Sequence, residues 1–138
     1  MAKLSRGVMR TAVWLYRRSG GKIGGKMGQA PVALLTTTGR KSGRSWTNPV
    51  LYQPEGDGWV IIASYAGRPR HPAWWLNLKA NPEATIEMGR DSYPVTASEV
   101  PDEDRERLWR KMTAVYPTYD EYQKKTTRRI PVVYLTRR

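Results

Sequence analysis

Residues 31–64 read PVALLTTTGRKSGRSWTNPVLYQPEGDGWVIIAS, and this stretch predicts three short β-strands joined by two turns. The strands are expected at residues 31–38, 47–53 and 59–64, where β-branched and apolar residues are concentrated. Glycine-containing turns at 39–43 and 55–58 separate them. Such a meander of short strands is typical of an antiparallel sheet.

The rest of the chain extends this sheet and adds helices around it. Further strands are expected at residues 83–88, 93–100 and 130–136. Helices are expected at 72–80, from residue 102 to the break at Pro117, and in the short segment that carries Tyr119 and Tyr122. Six short strands with helical insertions predict an α+β, mostly antiparallel barrel, although the pattern alone does not choose the barrel topology.

The N-terminal segment is predicted to be an amphipathic helix at residues 3–18, followed by a flexible glycine-rich linker at 19–28. At about 100° per residue, the basic side chains of this helix fall within about a 60° arc: Lys3, Arg6, Arg10 and Arg17. The helix either packs on the barrel with its basic face in water or lies on an anionic membrane surface. We therefore divide the chain into residues 1–28 (helix and linker) and 29–138 (the barrel domain).

The composition excludes several classes of site and favours an anionic partner. The formal net charge is +12, from 24 Lys and Arg against 12 Asp and Glu, which suits nucleic acid, anionic lipid or an acidic small molecule. The chain has no cysteine and a single histidine, His71, so thiolate sites and sites with several histidines are excluded, and no metal site is expected. No apolar run reaches the roughly 18 residues of a membrane span, so we expect a cytoplasmic protein, in contact at most with the inner face of the membrane.

The turn at residues 36–44, TTTGRKSGR, carries the parts of a phosphate cradle. Its two glycines permit a tight backbone whose N–H groups converge, Arg40, Lys41 and Arg44 add positive charge, and Ser42 adds a hydroxyl. The spacing is not that of a Walker A loop. An exposed basic hairpin turn has the same composition, so both interpretations stay open on spacing alone.

A run of tyrosines is a candidate wall for a substrate pocket. Tyr119 and Tyr122 are three residues apart and share a helix face, and Tyr116 precedes the break. Phenols around one volume offer apolar walls and hydrogen-bond donors to an oxygen that gains charge on reduction. An aromatic packing cluster is the alternative interpretation.

The helix at residues 72–80 is a third candidate. One of its tryptophans should face inward, while the other, with Asn77, lines a planar ligand; the carboxamide offers both a donor and an acceptor. A core helix with a capping asparagine is the alternative. His71, in the preceding loop, is interpreted as structural or exposed rather than catalytic.

These segments, in this order, resemble the deazaflavin-dependent nitroreductase family of actinobacteria. The resemblance runs from about residue 14 to 135 and is carried by PVALLTTTGRKSG, NPVLY, WWLNLKANP and the Tyr-Pro-x-Tyr-x-x-Tyr run followed by IPVV. It implies a split β-barrel like those of flavin reductases and pyridoxamine oxidases. It also implies coenzyme F-420, an 8-hydroxy-5-deazaflavin with an acidic phospholactyl-oligoglutamate tail, and hydride transfer to an organic acceptor such as a quinone, nitro or enone compound.

The resemblance also implies roles for individual residues. The phosphate and tail would be held by the turn, with Arg40, Lys41, Ser42 and Gly43 as ligands and Arg44 in support. The ring and ribityl chain would contact Asn48, Pro49, Val50, Leu51, Ser64, Tyr65, Pro72, Ala73, Trp74 and Asn77. The candidate catalytic residues are Tyr119, chosen as proton donor or substrate orienter, with Tyr116, Tyr122 and Ser64.

The chain departs from the expected pattern at three positions. Trp46 replaces a basic residue, Tyr65 stands where lysine is expected, and Ala73 is smaller than the expected methionine, which leaves the substrate range open. The alternatives are a non-catalytic F-420 carrier, a barrel that binds flavin mononucleotide, and a nucleic-acid-binding barrel. The last is disfavoured because the aromatic residues are not interleaved with basic residues on one strand. The physiological acceptor and the oligomeric state stay open.

Overall fold

The computed structural model describes residues 6–138, and within this range the chain forms four α-helices and eight β-strands. The helices are α1 (Arg6–Ser19), α2 (Ala73–Ala80), α3 (Asp102–Thr113) and α4 (Thr118–Lys124). The strands are β1 (Lys26–Met27), β2 (Ala30–Thr38), β3 (Ser45–Leu51), β4 (Gln53–Glu55), β5 (Gly58–Ile62), β6 (Glu83–Met88), β7 (Asp91–Glu99) and β8 (Val132–Arg137). The first residues of the predicted N-terminal helix, including Lys3, lie outside the described residues. No helix in the described range is long and apolar enough to cross a bilayer.

The strands form one curled antiparallel sheet. Its order is β1-β2-β6-β7-β8-β5-β4, and β3 pairs with β2. β2 is central because it pairs with β3 over residues 32–38 and with β6 over residues 34–36. Cα atoms of β3 and β5 approach within 8 Å, so the two ends of the sheet come together and leave a split barrel. The predicted α+β split barrel with peripheral helices is confirmed.

Alternate residues of β2 enter two different cores, because successive side chains of a strand point to opposite faces. Ala33 and Leu35 face the barrel interior, where the two tryptophans of α2 also pack. Val32 and Leu34 face the other way and pack against α1. The nearly continuous burial of β2 therefore reflects a helix covering its outer face.

Alternate side chains of β5 also enter two different cores. Ile61 points into the barrel interior, while Val60 and Ile62 face a second core beneath α3 and α4. Leu108 and Met112, spaced as on one face of a helix, fill this second core from α3. It also holds the tyrosines of α4.

The sequence predicts the six main strands, and the structure adds two short ones. β1 forms within the predicted flexible linker, where Lys26 pairs with Pro31 and the carbonyl of Gly25 accepts the Val32 N–H at 2.9 Å. The strand predicted at residues 47–53 ends at Leu51, and Gln53–Glu55 pair with β5 instead as β4. Both additions are only two or three residues long and lack the runs of β-branched and apolar residues that mark the predicted strands.

Candidate functional site

A large open groove lies between α1, the segment from Gly39 to Asn48 and the first turns of α2. Its volume is about 1040 Å³. We call it the basic groove because its walls carry six cationic side chains: Arg10, Arg17, Arg18, Arg40, Lys41 and Arg44. Such a volume accommodates a cofactor-sized ligand.

The turn between β2 and β3 is a tight backbone loop that could hold an anion. The Gly39 N–H donates to the Arg44 carbonyl at 2.7 Å, and the Gly43 N–H donates to the Gly39 carbonyl at 2.9 Å. Gly43 has φ +72°, and a Cβ on Gly39 would lie 2.7 Å from the Trp46 indole nitrogen, so both positions favour glycine. Within the described residues, the backbone N–H groups of Lys41 and Ser42 have no acceptor. These N–H groups can therefore donate to a bound anion.

Asn77 fixes this turn to α2. Its side chain is only 4% exposed, and its Oδ1 accepts from both the backbone N–H and the guanidinium of Arg40, each at 3.1 Å. Its Nδ2 donates to the Thr37 hydroxyl at 3.2 Å. Asn77 lines the groove, but its carboxamide is largely committed to the protein, so its clearest effect is to orient Arg40.

The charges of the basic groove are mostly unneutralised. Arg17 forms a bidentate ion pair with Glu87, with N–O distances of 3.0 and 2.7 Å. The other five cations form no ion pair within residues 6–138, and no acidic side chain lines the groove there. A concentration of unpaired cations in one concave surface attracts anionic ligands.

Three tryptophans complete the walls. Trp14 from α1 is 59% exposed, Trp46 from β3 is also exposed, and Trp74 from α2 is buried but still lines the groove. Flat, amphipathic indoles beside cations suit a ligand that has a planar ring and an acidic extension.

The tyrosines form a separate cluster that does not line the groove. Tyr116 and Tyr119 meet edge to face with centroids 4.9 Å apart, and the Tyr116 and Tyr122 hydroxyls are hydrogen-bonded at 3.1 Å. Tyr119 is 4% exposed, Tyr122 is buried, and Tyr116 is partly exposed. Burial raises the pKa of Tyr119 above its ordinary value and raises that of Tyr122 to about 12, so both phenols are protonated at neutral pH.

A strained loop at residues 63–71 connects this cluster to α2. Tyr65 and Ala66 have φ of 47° and 54°, in the left-handed region that non-glycine residues seldom adopt. Gly67 lies against the backbone of α4, because a Cβ there would be 2.6 Å from the Tyr122 carbonyl oxygen.

Arg128 holds this loop in place. Its guanidinium donates to the carbonyls of Ser64 at 2.7 Å, Arg68 at 3.1 Å and Ala63 at 3.2 Å. It also contacts the His71 Nδ1 at 3.0 Å. Because a guanidinium only donates, Nδ1 accepts, and the neutral imidazole carries its proton on Nε2.

The structure brings together about half of the residues predicted for the site. Those that line the basic groove are Arg40, Lys41, Ser42, Arg44, Asn48, Ala73, Trp74 and Asn77. Those that do not are Gly43, Pro49, Val50, Leu51, Ser64, Tyr65, Pro72, Tyr116, Tyr119 and Tyr122. Nothing in the sequence alone indicated the groove-lining side of α1 or the role of Arg128. The basic face of α1 was visible as a helical pattern, but nothing local placed it opposite the turn.

A second, smaller groove of about 520 Å³ lies beside the β4–β5 turn and the C-terminus. Its two cations are already engaged. Arg137 lies over the Tyr93 ring at 4.4 Å, and Arg138 pairs with Glu83 at 2.8 Å. The basic groove is therefore the better candidate for an anion.

Known proteins resemble this chain in sequence and in fold. The family described as F420H(2)-dependent quinone reductase matches residues 8–137. An F420H(2)-dependent quinone reductase of Mycobacterium tuberculosis is 43% identical over 128 residues, which cover 90% of this chain and 86% of that protein. A solved F420-H2 dependent reductase (FDR-A) superposes with TM-score 0.70 at 42% identity, over 76% of this chain and 93% of that chain. A heme storage protein of Vibrio cholerae superposes with TM-score 0.63 over 94% of this chain and 90% of that chain; at 14% identity it shares the fold alone.

Proposed function

Because this chain belongs to the F420H(2)-dependent quinone reductase family, we propose that it uses reduced coenzyme F-420 to reduce a quinone, with the basic groove as the coenzyme site. It is an F-420-dependent reductase, and coenzyme F-420 is its cofactor.

The residues of the groove fit this coenzyme. The two unpaired N–H groups at Lys41 and Ser42, with the Arg40 and Arg44 guanidiniums on either side, suit the phosphate. Trp74 and Ala73, at the start of α2, suit the deazaflavin ring. The observation that carries the assignment is the excess of unpaired cations, which a neutral or weakly charged ligand would leave uncompensated.

The residues of this chain bind the coenzyme, orient its ring and supply polar groups around it. When bound in its reduced form, the deazaflavin supplies a hydride from its C5 carbon. The turn holds the acidic end of the coenzyme, and Asn77 keeps Arg40 in one orientation, which fixes the position of the ring. The loop from Ser64 to His71 leads into α2, and Arg128 holds it through the Ser64 carbonyl and the His71 ring.

The tyrosine cluster is proposed as the wall that meets the acceptor. Tyr116 is its most exposed member, so an acceptor oxygen would meet this hydroxyl first, with Tyr122 hydrogen-bonded behind it. Tyr119, the expected proton donor, is nearly enclosed and would support the other two rings. The phenols of Tyr119 and Tyr122 stay protonated at neutral pH. A phenol hydroxyl in this wall can donate to a quinone oxygen as it gains charge.

A quinone is preferred over a nitro or enone acceptor because relatives that cover most of this chain are quinone reductases by name. Quinones with long apolar chains reside in membranes. Contact between residues 3–18 and the inner face of the membrane would give access to them, and Val8 is an exposed apolar residue on this segment. Sedimentation with anionic liposomes, comparing the full chain with one that lacks the first 18 residues, tests this contact.

The proposed function is tested by binding and then by turnover. Fluorescence titration should show that F-420 binds at micromolar concentration or tighter, more weakly as salt increases, and in preference to flavin mononucleotide. Oxidation of reduced F-420 is then followed with a soluble quinone, a nitroimidazole and an enone as acceptors. Preference for the flavin would contradict the coenzyme assignment, and turnover with nitro or enone compounds but not with the quinone would contradict the acceptor.

A further inference from the structure

The segment at residues 125–131 joins α4 to β8 and is held against α4 by one side chain. The Gln123 carboxamide donates to the Arg128 carbonyl at 2.8 Å and accepts the Ile130 N–H at 3.0 Å. The Arg128 N–H in turn donates to the Thr126 hydroxyl at 3.1 Å. The backbone of Arg128 is therefore fixed to the helix that carries two of the clustered tyrosines.

The side chain of Arg128 extends this connection to α2. Its guanidinium donates to the Ser64 carbonyl at 2.7 Å and, at the far end of the same loop, to the His71 Nδ1 at 3.0 Å. Helix α2 begins two residues after His71, and its first residue, Ala73, lines the basic groove. A continuous series of hydrogen bonds therefore leads from the tyrosine cluster to the wall of the groove where we place the deazaflavin ring.

The loop between Ser64 and His71 depends on being held at both ends. Tyr65 and Ala66 have left-handed backbones, which persist in non-glycine residues only where the surroundings fix them. The guanidinium of Arg68 lies over the Tyr65 ring at 4.9 Å, so the loop also packs on itself. If one end is released, the strained backbone can relax, and the tyrosine cluster can then move relative to α2.

His71 accepts a hydrogen bond from Arg128 only when its imidazole is neutral. A guanidinium has donors and no acceptor, so the His71 Nδ1 has to accept, and a protonated imidazolium has no acceptor left. Protonation would also place two cations in direct contact. The contact between Arg128 and His71 is therefore made by one protonation state of His71 and opposed by the other.

The charges around His71 are mostly positive. Besides Arg128, Lys79 on α2 adds a positive charge, Glu99 at the end of β7 adds a negative one, and Arg70, the neighbouring residue in the loop, is exposed. Burial first, and then Arg128 and Lys79, lower the pKa of His71. The contact is thus complete above pH 6.5, the ordinary pKa of histidine, and is lost as the pH falls toward the lowered pKa.

We propose that Arg128 is a positioning residue for the reductase reaction, which aligns the tyrosine wall with α2, and that His71 makes this alignment dependent on pH. The inference rests on the proposed function and adds to it a pH-sensitive contact outside the groove. Neither Arg128 nor His71 lines the groove, so both act through the loop and through α2 rather than on the coenzyme.

The first test needs no coenzyme. An NMR titration of the full chain between pH 8 and 5 follows the His71 ring, whose signals are unambiguous because the chain has a single histidine. The amides of Tyr65 and Gly67 should shift with the same midpoint as that ring. They should not shift in His71→Asn, because its carboxamide oxygen can accept from Arg128 throughout this range. Loop amides that titrate equally in both proteins would overturn the pH-dependent contact.

The second test measures the oxidation of reduced F-420 by a soluble quinone at pH 7.5 and 5.5. At pH 7.5, Arg128→Gln should lower kcat about ten-fold and leave F-420 affinity within about two-fold of the wild type, since it disturbs alignment and not binding. The matched control is Arg129→Gln, which removes the same charge from the next residue, an exposed partner of Asp102. Its kcat should equal that of the wild type.

The ratio of kcat at the two pH values tests the role of His71. The wild type and Arg129→Gln should lose kcat on acidification, and His71→Asn should lose less. Titration of the coenzyme itself would remain in His71→Asn, so the difference between the two profiles isolates His71. Equal losses in His71→Asn and the wild type would overturn the pH dependence.

Thermal melts at both pH values establish which variants are folded. Arg128→Lys, which keeps the charge but not the forked donors, replaces Arg128→Gln if the latter is unfolded. An unchanged kcat in a folded Arg128 variant would overturn the positioning role. If the wild type oxidises reduced F-420 with no acceptor, the proposed function fails and the positioning role with it, while the NMR titration still decides whether His71 controls the loop.

Discussion

Replacing Arg128 with glutamine should destabilise the protein through the loop at residues 63–71. The substitution removes four hydrogen bonds from one guanidinium and leaves the carbonyls of Ala63 and Ser64 without their charged donor. A hydrogen bond to a charged group contributes about 1.5–3 kcal/mol when its partner stays buried. Because this site is only partly buried, water replaces some of the lost bonds, and we expect a loss of about 3 kcal/mol. With an unfolding entropy of about 2.1 cal/mol/K per residue, a chain of 138 residues should lose about 10 °C in Tm.

The assay for Arg128→Gln combines thermal melts with hydrogen exchange of the same loop. The neighbouring variant Arg129→Gln is the control, since its exposed ion pair with Asp102 should contribute under about 1 kcal/mol. Exchange should become faster in the loop that contains Tyr65, whose left-handed backbone depends on being held by its surroundings. A fall in Tm no larger than that of the control, with unchanged exchange, would refute the idea that Arg128 holds this loop.

Three further predictions concern the same region. Gly67→Ala should cost more than about 2 kcal/mol in urea unfolding, because the new Cβ meets the Tyr122 carbonyl oxygen at 2.6 Å on top of the cost of φ +76°; a neutral result would mean that α4 moves freely. The pKa of His71 is lowered, first by burial and then by neighbouring cations, so its contribution to stability is complete above pH 6.5 and is lost as pH falls toward the folded-state pKa. His71→Asn should therefore show a smaller loss of unfolding free energy between pH 7.5 and 5.5 than the wild type, and equal losses would contradict this. Tyr116→Phe should lower kcat for the quinone about ten-fold without changing F-420 affinity; if affinity falls and kcat does not, the tyrosine belongs to the coenzyme site.

Local sequence patterns predict those parts of the fold whose partners are close in the chain. The β2–β3 hairpin is one such part, since its glycine turn and its alternating residues lie within one stretch. The strand β1 is an exception, although its partners Ala30 and Pro31 lie only three to five residues away. It has two residues, Lys26 and Met27, neither of them β-branched, and the glycine-rich segment around it is typical of a linker.

One wall of the candidate site could be predicted from consecutive residues, and the opposite wall could not. The cationic turn is contained in a few consecutive residues, so its composition makes it a candidate anion site, with an exposed basic hairpin turn as the alternative. The opposite wall depends on Tyr16, which reaches Val32 and Gly89 across 16 and 73 residues of sequence. Arg128 acts on Ser64 over a separation of 64 residues. Contacts of this kind arise from tertiary packing, and no helical or strand period encodes them.

The unpaired cations of the basic groove also have a consequence for the speed of capture. Their field extends about one screening length, roughly 8 Å at physiological ionic strength, beyond the atoms that finally touch the ligand. An acidic molecule that diffuses past is therefore drawn in before any contact forms, and the association rate rises more than the residence time. If carboxylates neutralised these cations, the groove would keep its shape but would no longer attract an acidic molecule from a distance. The cations are Arg10, Arg18, Arg40, Lys41 and Arg44.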